Sequence, residues 1–252
     1  MPRYLTFALV APFASFGGIA VGERRSGGDR PSRSAVLGLV GACLGLHRDD
    51  DAAQAALVDG YGLALLCYAP GRLLADYHTA QVPPAQRGRR FATRAEELAA
   101  PALNTILSRR DYRTGAWHLG ALWPRDNTVR WPLDALAKAM EQPEFVPYLG
   151  RKSCPLGLPL APRLVEAVDP PAALLARHEE GPEAQLRDPT GRSFRHIFAD
   201  APWETMIVVL DADDAGDDPR RLRIEMRRDQ PRSRRRWQFD LRAEAVLGGT
   251  SS

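Results

Sequence analysis

The stretch that most constrains this chain runs from Pro31 to Leu46, PSRSAVLGLVGACLGL. Ser32 or Ser34 can cap the free N–H groups of a first helical turn. An apolar run of 12 residues follows, with Gly38, Gly41 and Gly45 at spacings of three and four. Each interior glycine costs a helix roughly 1 kcal/mol relative to alanine, so a helix that carries three needs a packing reason. On one helical face they form a smooth stripe that another backbone can approach. Arg24, Arg25, Arg30 and Arg33 precede the helix, interleaved with Gly22, Gly27 and Gly28. A glycine-rich basic loop opening onto a helix N-terminus is a natural anion site; the alternative is a buried helix behind a solvated loop.

Charge patterning favours a polyanion. The formal net charge of +3 conceals a basic block from Arg87 to Arg113, with seven arginines against three acids. A second runs from Arg220 to Arg242, with ten arginines against three acids. Between them, Asp200 to Asp218 holds seven acids and no base, which reads as a solvated or protein-facing surface. The cations are 32 arginines and only two lysines, Lys138 and Lys152; guanidinium forks suit phosphates and stack on bases. Three cysteines, Cys43, Cys67 and Cys154, lack metal-ligand spacing and fit a reducing, cytoplasmic setting. No apolar run reaches the ~20 residues of a membrane span, and no metal or cofactor motif is present.

Taken in order, Arg3 to Ala11 reads as a strand ended by Pro12, and Gly17 to Arg30 as loop. The capped helix spans Ser32 to Leu46, and a second helix runs from Asp51 to about Asp59. Leu63 to Tyr68 is a strand, and Pro70-Gly71 a turn. Asp76 to Tyr112, with Pro83-Pro84 and Arg87, Arg89 and Arg90, reads as a projecting hairpin or arm. Trp117 to Trp123 returns as a strand, and Pro132 opens a helix with Leu133, Leu136, Ala137 and Met140 at helical spacing. Pro143 to Pro162 is rigid, non-helical chain. Pro170-Pro171 breaks the chain again, and Leu174 to Arg195 reads as loop-rich. Met206 to Leu210, Leu222 to Met226 and Trp237 to Leu241 read as strands, before a disordered tail from Gly248 to Ser252. The order is an α+β pattern that fits a ferredoxin-like βαββαβ sheet, as in RNA-recognition modules.

No Walker loop, G-x-S-x-G or zinc spacing occurs. His47, His78, His118, His178 and His196 are widely spread. Tyr77-His78 is the strongest catalytic candidate, since Tyr, His and Lys together can cut RNA without metal; a locally hydrogen-bonded His78 is the competing reading. Arg94 with Glu96 and Glu97 reads as a helix-surface ion-pair set. Arg109-Arg110-Asp111-Tyr112 joins phosphate-seeking charge to an aromatic that stacks on bases. Tyr148 to Pro155, YLGRKSCP, puts an aromatic, Arg151, Lys152 and Ser153 around a glycine, as a backbone-clamping loop for single-stranded RNA would. The Arg234-Arg235-Arg236 run reads as a solvated edge strand.

As a set and in this order, Pro31 to Gly45, Arg48-Asp49-Asp50, Asp76 to Thr79, Leu107 to Tyr112 and Tyr148 to Leu156 resemble the CasD family. These are the Cas-five-type subunits of type I-E CRISPR Cascade complexes. The resemblance runs from Tyr4 to Pro162. It implies a ferredoxin-like, RNA-recognition-motif-like RNA-binding domain over 1–162, with a long β-hairpin thumb inserted at about 76–115. A smaller β-rich C-terminal extension over 163–252 follows. It implies a non-catalytic subunit of an antiviral surveillance complex that holds the 5′ handle of the CRISPR RNA. That subunit needs no cofactor or metal and stays off membranes. Its neighbours are the backbone subunit CasC and the large subunit CasA, and it meets target DNA through the assembled complex. Metal-independent cleavage of repeat RNA, as done by Cas-five-type proteins of type I-C, is the alternative. Carried over by position, the RNA-binding residues are Phe16, Arg30, Ser32, Arg33, Ser34, His78, Thr79, Arg94, Arg109, Arg110, Tyr148, Arg151, Lys152, Ser153 and Cys154. Where the family commonly has Gln-Ser-Trp-Gly, this chain has Ala14-Ser15-Phe16-Gly17, leaving Phe16 as the ring that stacks.

Overall fold

A computed structural model describes residues 1–18, 20, 22–85, 88, 90–187 and 204–249. Arg87, Arg89, His196, the part of the loop-rich segment beyond Arg187 and the last three residues lie outside them. The elements are β1 (Arg3–Ala14), β2 (Arg24–Arg25), α1 (Arg33–Cys43), α2 (Asp51–Gly60), β3 (Tyr61–Ala69), β4 (Arg72–Val82), α3 (Arg94–Leu98) and β5 (Asn104–Pro124). After them come α4 (Leu133–Glu141), β6 (Arg163–Glu166), α5 (Pro170–Glu180), β7 (Ile207–Asp211), α6 (Ala212–Ala215), β8 (Arg221–Ser233) and β9 (Gln238–Gly248). The strands join one sheet in the order β6-β1-β5-β3-β7-β9-β8, with β2 and β4 also paired to β5. Every neighbour on that path is antiparallel.

The central strands are apolar on both sides because both sides are covered. Leu5, Phe7, Leu9, Leu63, Leu65 and Leu122 face Val36, Leu37 and Val40 of α1, Leu57 of α2, and Leu136 and Met140 of α4. Ala8, Val10, Ala64, Leu66, Trp117 and Leu119 face the other way, onto Leu174 of α5. No helix among the described residues is long and apolar enough to cross a membrane.

Several boundaries differ from the sequence reading. Pro12 does not end β1, which continues to Ala14. Ala8 and Val10 bond outward, to the carbonyl of Leu160 and the amide of Gly157. By the same alternation position 12 faces outward too, where a missing N–H breaks no ladder bond to β5. Helix α1 starts as expected, the Ser32 hydroxyl accepting from Ala35 N at 3.2 Å, but it stops at Cys43. Gly45, at φ +73°, terminates it, with the amides of Gly45 and Leu46 returning to the carbonyls of Ala42 and Gly41. Pro170 and Pro171 open α5 rather than break the chain: Asp169 caps Ala172 N at 2.7 Å, and first-turn prolines lack only N–H groups that a helix leaves unpaired. The last two strands are much longer than expected and absorb Arg227 and Arg228 into a paired hairpin.

Candidate nucleic-acid interface

β5 is 21 residues long and leads two lives. From Thr114 onward it is central, between β1 and β3. Before that it leaves the sheet as a hairpin with β4, in register from Arg72↔Thr114 to Val82↔Asn104. Nearly all of β4 is exposed. This is the projecting arm expected from Asp76 to Tyr112, though it begins at Arg72 and its second strand runs unbroken into the core.

Where the arm leaves the sheet, β2 lies parallel to β5 and aligns Arg24 with Arg109 and Arg25 with Arg110. The Arg109 amide donates to the Glu23 carbonyl at 3.0 Å. Arg24 and Arg109 thus share one face of these two adjacent strand segments, and Arg25 and Arg110 the other. Arg109 leans on the buried carboxylate of Asp111 at 3.3 Å. Arg110 has no ion pair among the described residues and shares a strand face with Tyr112.

The 148–155 loop closes onto the same place. Leu149 is buried and accepts the Ser15 amide at 3.0 Å. Gly150 sits at φ +90°, and a Cβ there would lie 1.7 Å from the Ser15 carbonyl oxygen, so only glycine fits. The Leu149 and Cys154 amides close the turn on the Cys154 and Arg151 carbonyls. The Arg151 guanidinium lies 4.4 Å from the Tyr112 ring centroid and donates to the Asp111 carbonyl at 3.3 Å. Lys152 and Ser153 are exposed at the loop's tip, and Tyr148 is half-buried at its start. Cys154 is fully buried, and burial raises its thiol pKa; it anchors the loop from inside. Arg25, Arg110, Tyr112, Arg151, Lys152 and Ser153 therefore form one basic, aromatic neighbourhood, with Arg24 and Arg109 on the other face of the same strands.

The start of α1 is different. Arg30 and Arg33 are each only 3% exposed. Arg30 bonds Glu244 (2.6 Å), Glu225 (2.5 Å) and Asp29 (3.0 Å). Burial opposes its charge, but Glu244 and Asp29 outweigh burial and hold its pKa above the ordinary value. Arg33 donates to the Val58 and Tyr61 carbonyls and pairs with Asp211 at 3.3 Å; burial lowers its pKa. The Arg33 amide, the first of the helix, donates to Asp229 Oδ2 at 2.8 Å. The expected anion at this helix start is thus a carboxylate of the chain itself. Ser32 and Ser34 are half-buried and bond each other at 2.9 Å, and the Ser34 carbonyl accepts from Arg234. The glycine stripe likewise meets a side chain rather than a backbone: a Cβ on Gly38 would lie 2.8 Å from Arg234 Nη1. The acidic block, expected to be solvated or protein-facing, is largely turned to the chain's own arginines, with Asp211 on Arg33, Arg125 and Arg242 and Asp214 on Arg125.

Of the remaining expected residues, Phe16 is 5% exposed and packs its ring on His118 at 5.3 Å, which leaves no free face to stack on a base. His78 and Thr79 lie on the arm opposite Ser108 and Leu107, with His78 Nε2 2.7 Å from Asp76. Tyr77 and His78 are successive strand residues and point to opposite faces. Arg94 binds Glu97 and the Gln81 carbonyl, fastening α3 to the end of β4. Sequence reasoning noted Arg24 and Arg25 but not their alignment with residues 85 positions later; no local signal carries that. Among the described residues no His, Cys, Asp and Glu side chains gather as a metal site requires, and Cys43, Cys67 and Cys154 are free and buried.

The family of CRISPR-associated proteins described as Cas_Cas5 matches residues 4–243, well past Pro162, and this chain belongs to it. It is 32% identical over 217 residues to the CRISPR system Cascade subunit CasD of Escherichia coli (strain K12), covering 82% of this chain and 91% of that protein. Its fold is similar to a chain of a CRISPR RNA-guided surveillance complex, with TM-score 0.62 and 22% identity over 97% of this chain and 89% of that one. It is also similar to a crystal structure of a Cas protein, with TM-score 0.55 and 20% identity over 98% and 95% of the two chains.

Proposed function

We propose that this chain is a subunit of a Cascade-type CRISPR surveillance complex, working in the cytoplasm, and that it holds the 5′ handle of the CRISPR RNA without cutting it. The observation that carries the RNA reading is the alignment of Arg24 and Arg25 with Arg109 and Arg110 beside the Arg151–Tyr112 stack. Membership of the family and the kinship with CasD supply the CRISPR context. Arg25 and Arg110, on the Tyr112 face, take backbone phosphates with Lys152, Arg24 and Arg109 flank them from the other face, and Tyr112 and Tyr148 offer faces for unstacked bases. Ser153 and Thr79 are exposed hydroxyls within reach of the same strand. Arg30, Arg33, Ser32, Ser34, Phe16, Arg94 and Cys154 serve the RNA by holding the frame on which these side chains stand.

A ferredoxin-like core is supported by the order β6-β1-β5-β3, antiparallel throughout, with α1–α2 and α4 as its two crossovers. On this reading residues 1–162 with the following short strand make the RNA-binding domain, and the rest is the C-terminal extension. The β4–β5 arm is its thumb, reaching to the backbone subunit CasC. The large subunit CasA is the other neighbour, and target DNA is met through the assembled complex.

A second reading, an endoribonuclease, rests on the His78–Asp76 pair beside Arg110 in the arm. It is the weaker one, because Tyr77 faces away from His78. Incubation of the purified chain with labelled repeat RNA, without metal, separates the two. A handle-dependent gel shift with intact RNA supports the scaffold. A discrete cut at the base of the repeat hairpin, lost in His78→Ala, makes it a nuclease. Equal affinity for handle and scrambled RNA removes the handle reading.

A further inference from the structure

The turn of the β8–β9 hairpin carries a group that the interface above does not use. Trp237 is 60% exposed and held at φ +57°, in the left-handed region that a bulky residue rarely adopts. Phe239 meets its ring edge-on at 5.5 Å. The Arg48 guanidinium, from the loop between α1 and α2, lies 4.9 Å from its centroid. Arg235 and Arg236 flank it, exposed and without an ion pair among the described residues. The nearby acids are mostly engaged: Asp50 caps α2 at Ala53 N (2.9 Å), Asp51 accepts the Ser233 hydroxyl (3.3 Å), and Asp240 faces Arg232 (4.0 Å).

The turn is also fastened in place. Arg234 points inward, bonded to the Ser34 carbonyl and packed against Gly38. An indole left open at the end of an anchored turn, beside uncommitted guanidinium groups, does nothing for folding that a polar residue would not do better. The Arg48 loop adjoins the chain that leads into the 148–155 loop, since the amides of Glu144 and Phe145 bond the Cys43 and Ala42 carbonyls at the end of α1, both at 3.1 Å. Phe145, just before that loop, packs edge-on against His47 at 5.5 Å. The segment at Glu144 and Phe145 therefore links the 148–155 loop to the loop that carries Arg48 beside Trp237.

We propose that Trp237, with Arg48, Arg235 and Arg236, forms a second single-stranded RNA subsite, where the indole stacks on an unpaired base and the arginines take the flanking phosphates. This rests on the reading of the chain as an RNA-binding subunit. A flat aromatic face ringed by planar cations suits a base and its phosphates.

The test is fluorescence anisotropy of labelled single-stranded repeat RNA with the full chain, across a salt series, with melting curves checking that each variant folds. Trp237→Ala is expected to weaken Kd roughly ten-fold, the loss of one stacked base, while Trp237→Phe stays within about three-fold. Arg235→Gln with Arg236→Gln is expected to lower the slope of log affinity against log salt by about 1.4. Trp237→Ala binding within about two-fold of wild type overturns the subsite, since stacking of a base is worth more than that. So does loss of a protein partner from Trp237→Ala with RNA affinity unchanged. Arg25→Gln with Arg110→Gln, run in parallel, separates the two ideas: if it weakens binding and Trp237→Ala does not, only the subsite falls. If wild type binds no RNA, the parent reading falls and takes the subsite with it.

Discussion

The two long hairpins, β4–β5 and β8–β9, are both arginine-rich, yet the arginines along their strands serve opposite ends. In β8–β9, Arg242 is bonded to Asp229, Asp211 and Glu244, and Glu244 also holds Arg30 from the N-terminal half. In β4–β5, Arg109 has one carboxylate beside it and Arg110 has none among the described residues. The difference is the acids opposite. Where carboxylates face the arginines the charge is consumed in joining the C-terminal strands to the start of α1. Where they do not, the charge stays on the surface for a ligand. A basic run is thus a statement about partners only once its neighbours across the sheet are known.

The strongest way to break the comparison is to remove a carboxylate from the joint. Glu244→Ala leaves Arg30 buried with its best partner gone and is expected to cost about 3–5 kcal/mol of stability, read from urea unfolding. A loss under 1 kcal/mol would mean that Arg30 finds solvent and the joint is not buried. Next, Gly150→Ala forces a Cβ into the Ser15 carbonyl and is expected to cost about 1–3 kcal/mol and to weaken RNA binding, because Arg151 leaves Tyr112.

β5 itself holds both conditions, which a pH series sharpens. Its inner half carries His118, fully buried and without a hydrogen bond at either ring nitrogen among the described residues. Burial first, then the charges of Arg30 and Arg113, push its pKa down from 6.5 to about 3. The unfolded chain protonates this histidine below about 6.5 while the folded chain does not. Its stability contribution is therefore complete above that pH and lost as the pH falls toward 3. From this group alone stability at pH 5 is expected to be about 2 kcal/mol lower than at pH 7, and His118→Leu should flatten that slope. At the outer half, Arg110→Gln with its β2 neighbour Arg25→Gln, neither of them ion-paired among the described residues, should change stability by less than about 0.5 kcal/mol while RNA affinity drops; an unfolding midpoint shifted as far as in Glu244→Ala would place these arginines in the joint instead.

Much of the framework was legible. The Ser32 cap, the helix after Pro132, the arm from Asp76 onward and the glycine-bearing 148–155 loop all follow from local chemistry, and the family resemblance rests on those same segments. The arginines were the hard part. Arg30 and Arg33 look like an anion site in sequence because their partners, Glu244 and Asp229, lie about 200 residues away. Phe16 looked available for stacking because nothing local says that His118 covers it. Arg24 and Arg25 gain meaning only through their pairing with β5. Burial, which comes from the whole sheet, decides which charges remain free, and no window of sequence contains it.

The most direct test of the division between joint and surface is the salt dependence of repeat-RNA binding, measured on wild type and on the Arg25→Gln, Arg110→Gln variant. The account predicts that the variant keeps the wild-type melting curve and loses about 1.4 from the slope of log affinity against log salt, two phosphate contacts on single-stranded RNA. An unchanged slope with unchanged affinity would mean that these arginines do not touch the RNA, and the candidate interface would be wrong.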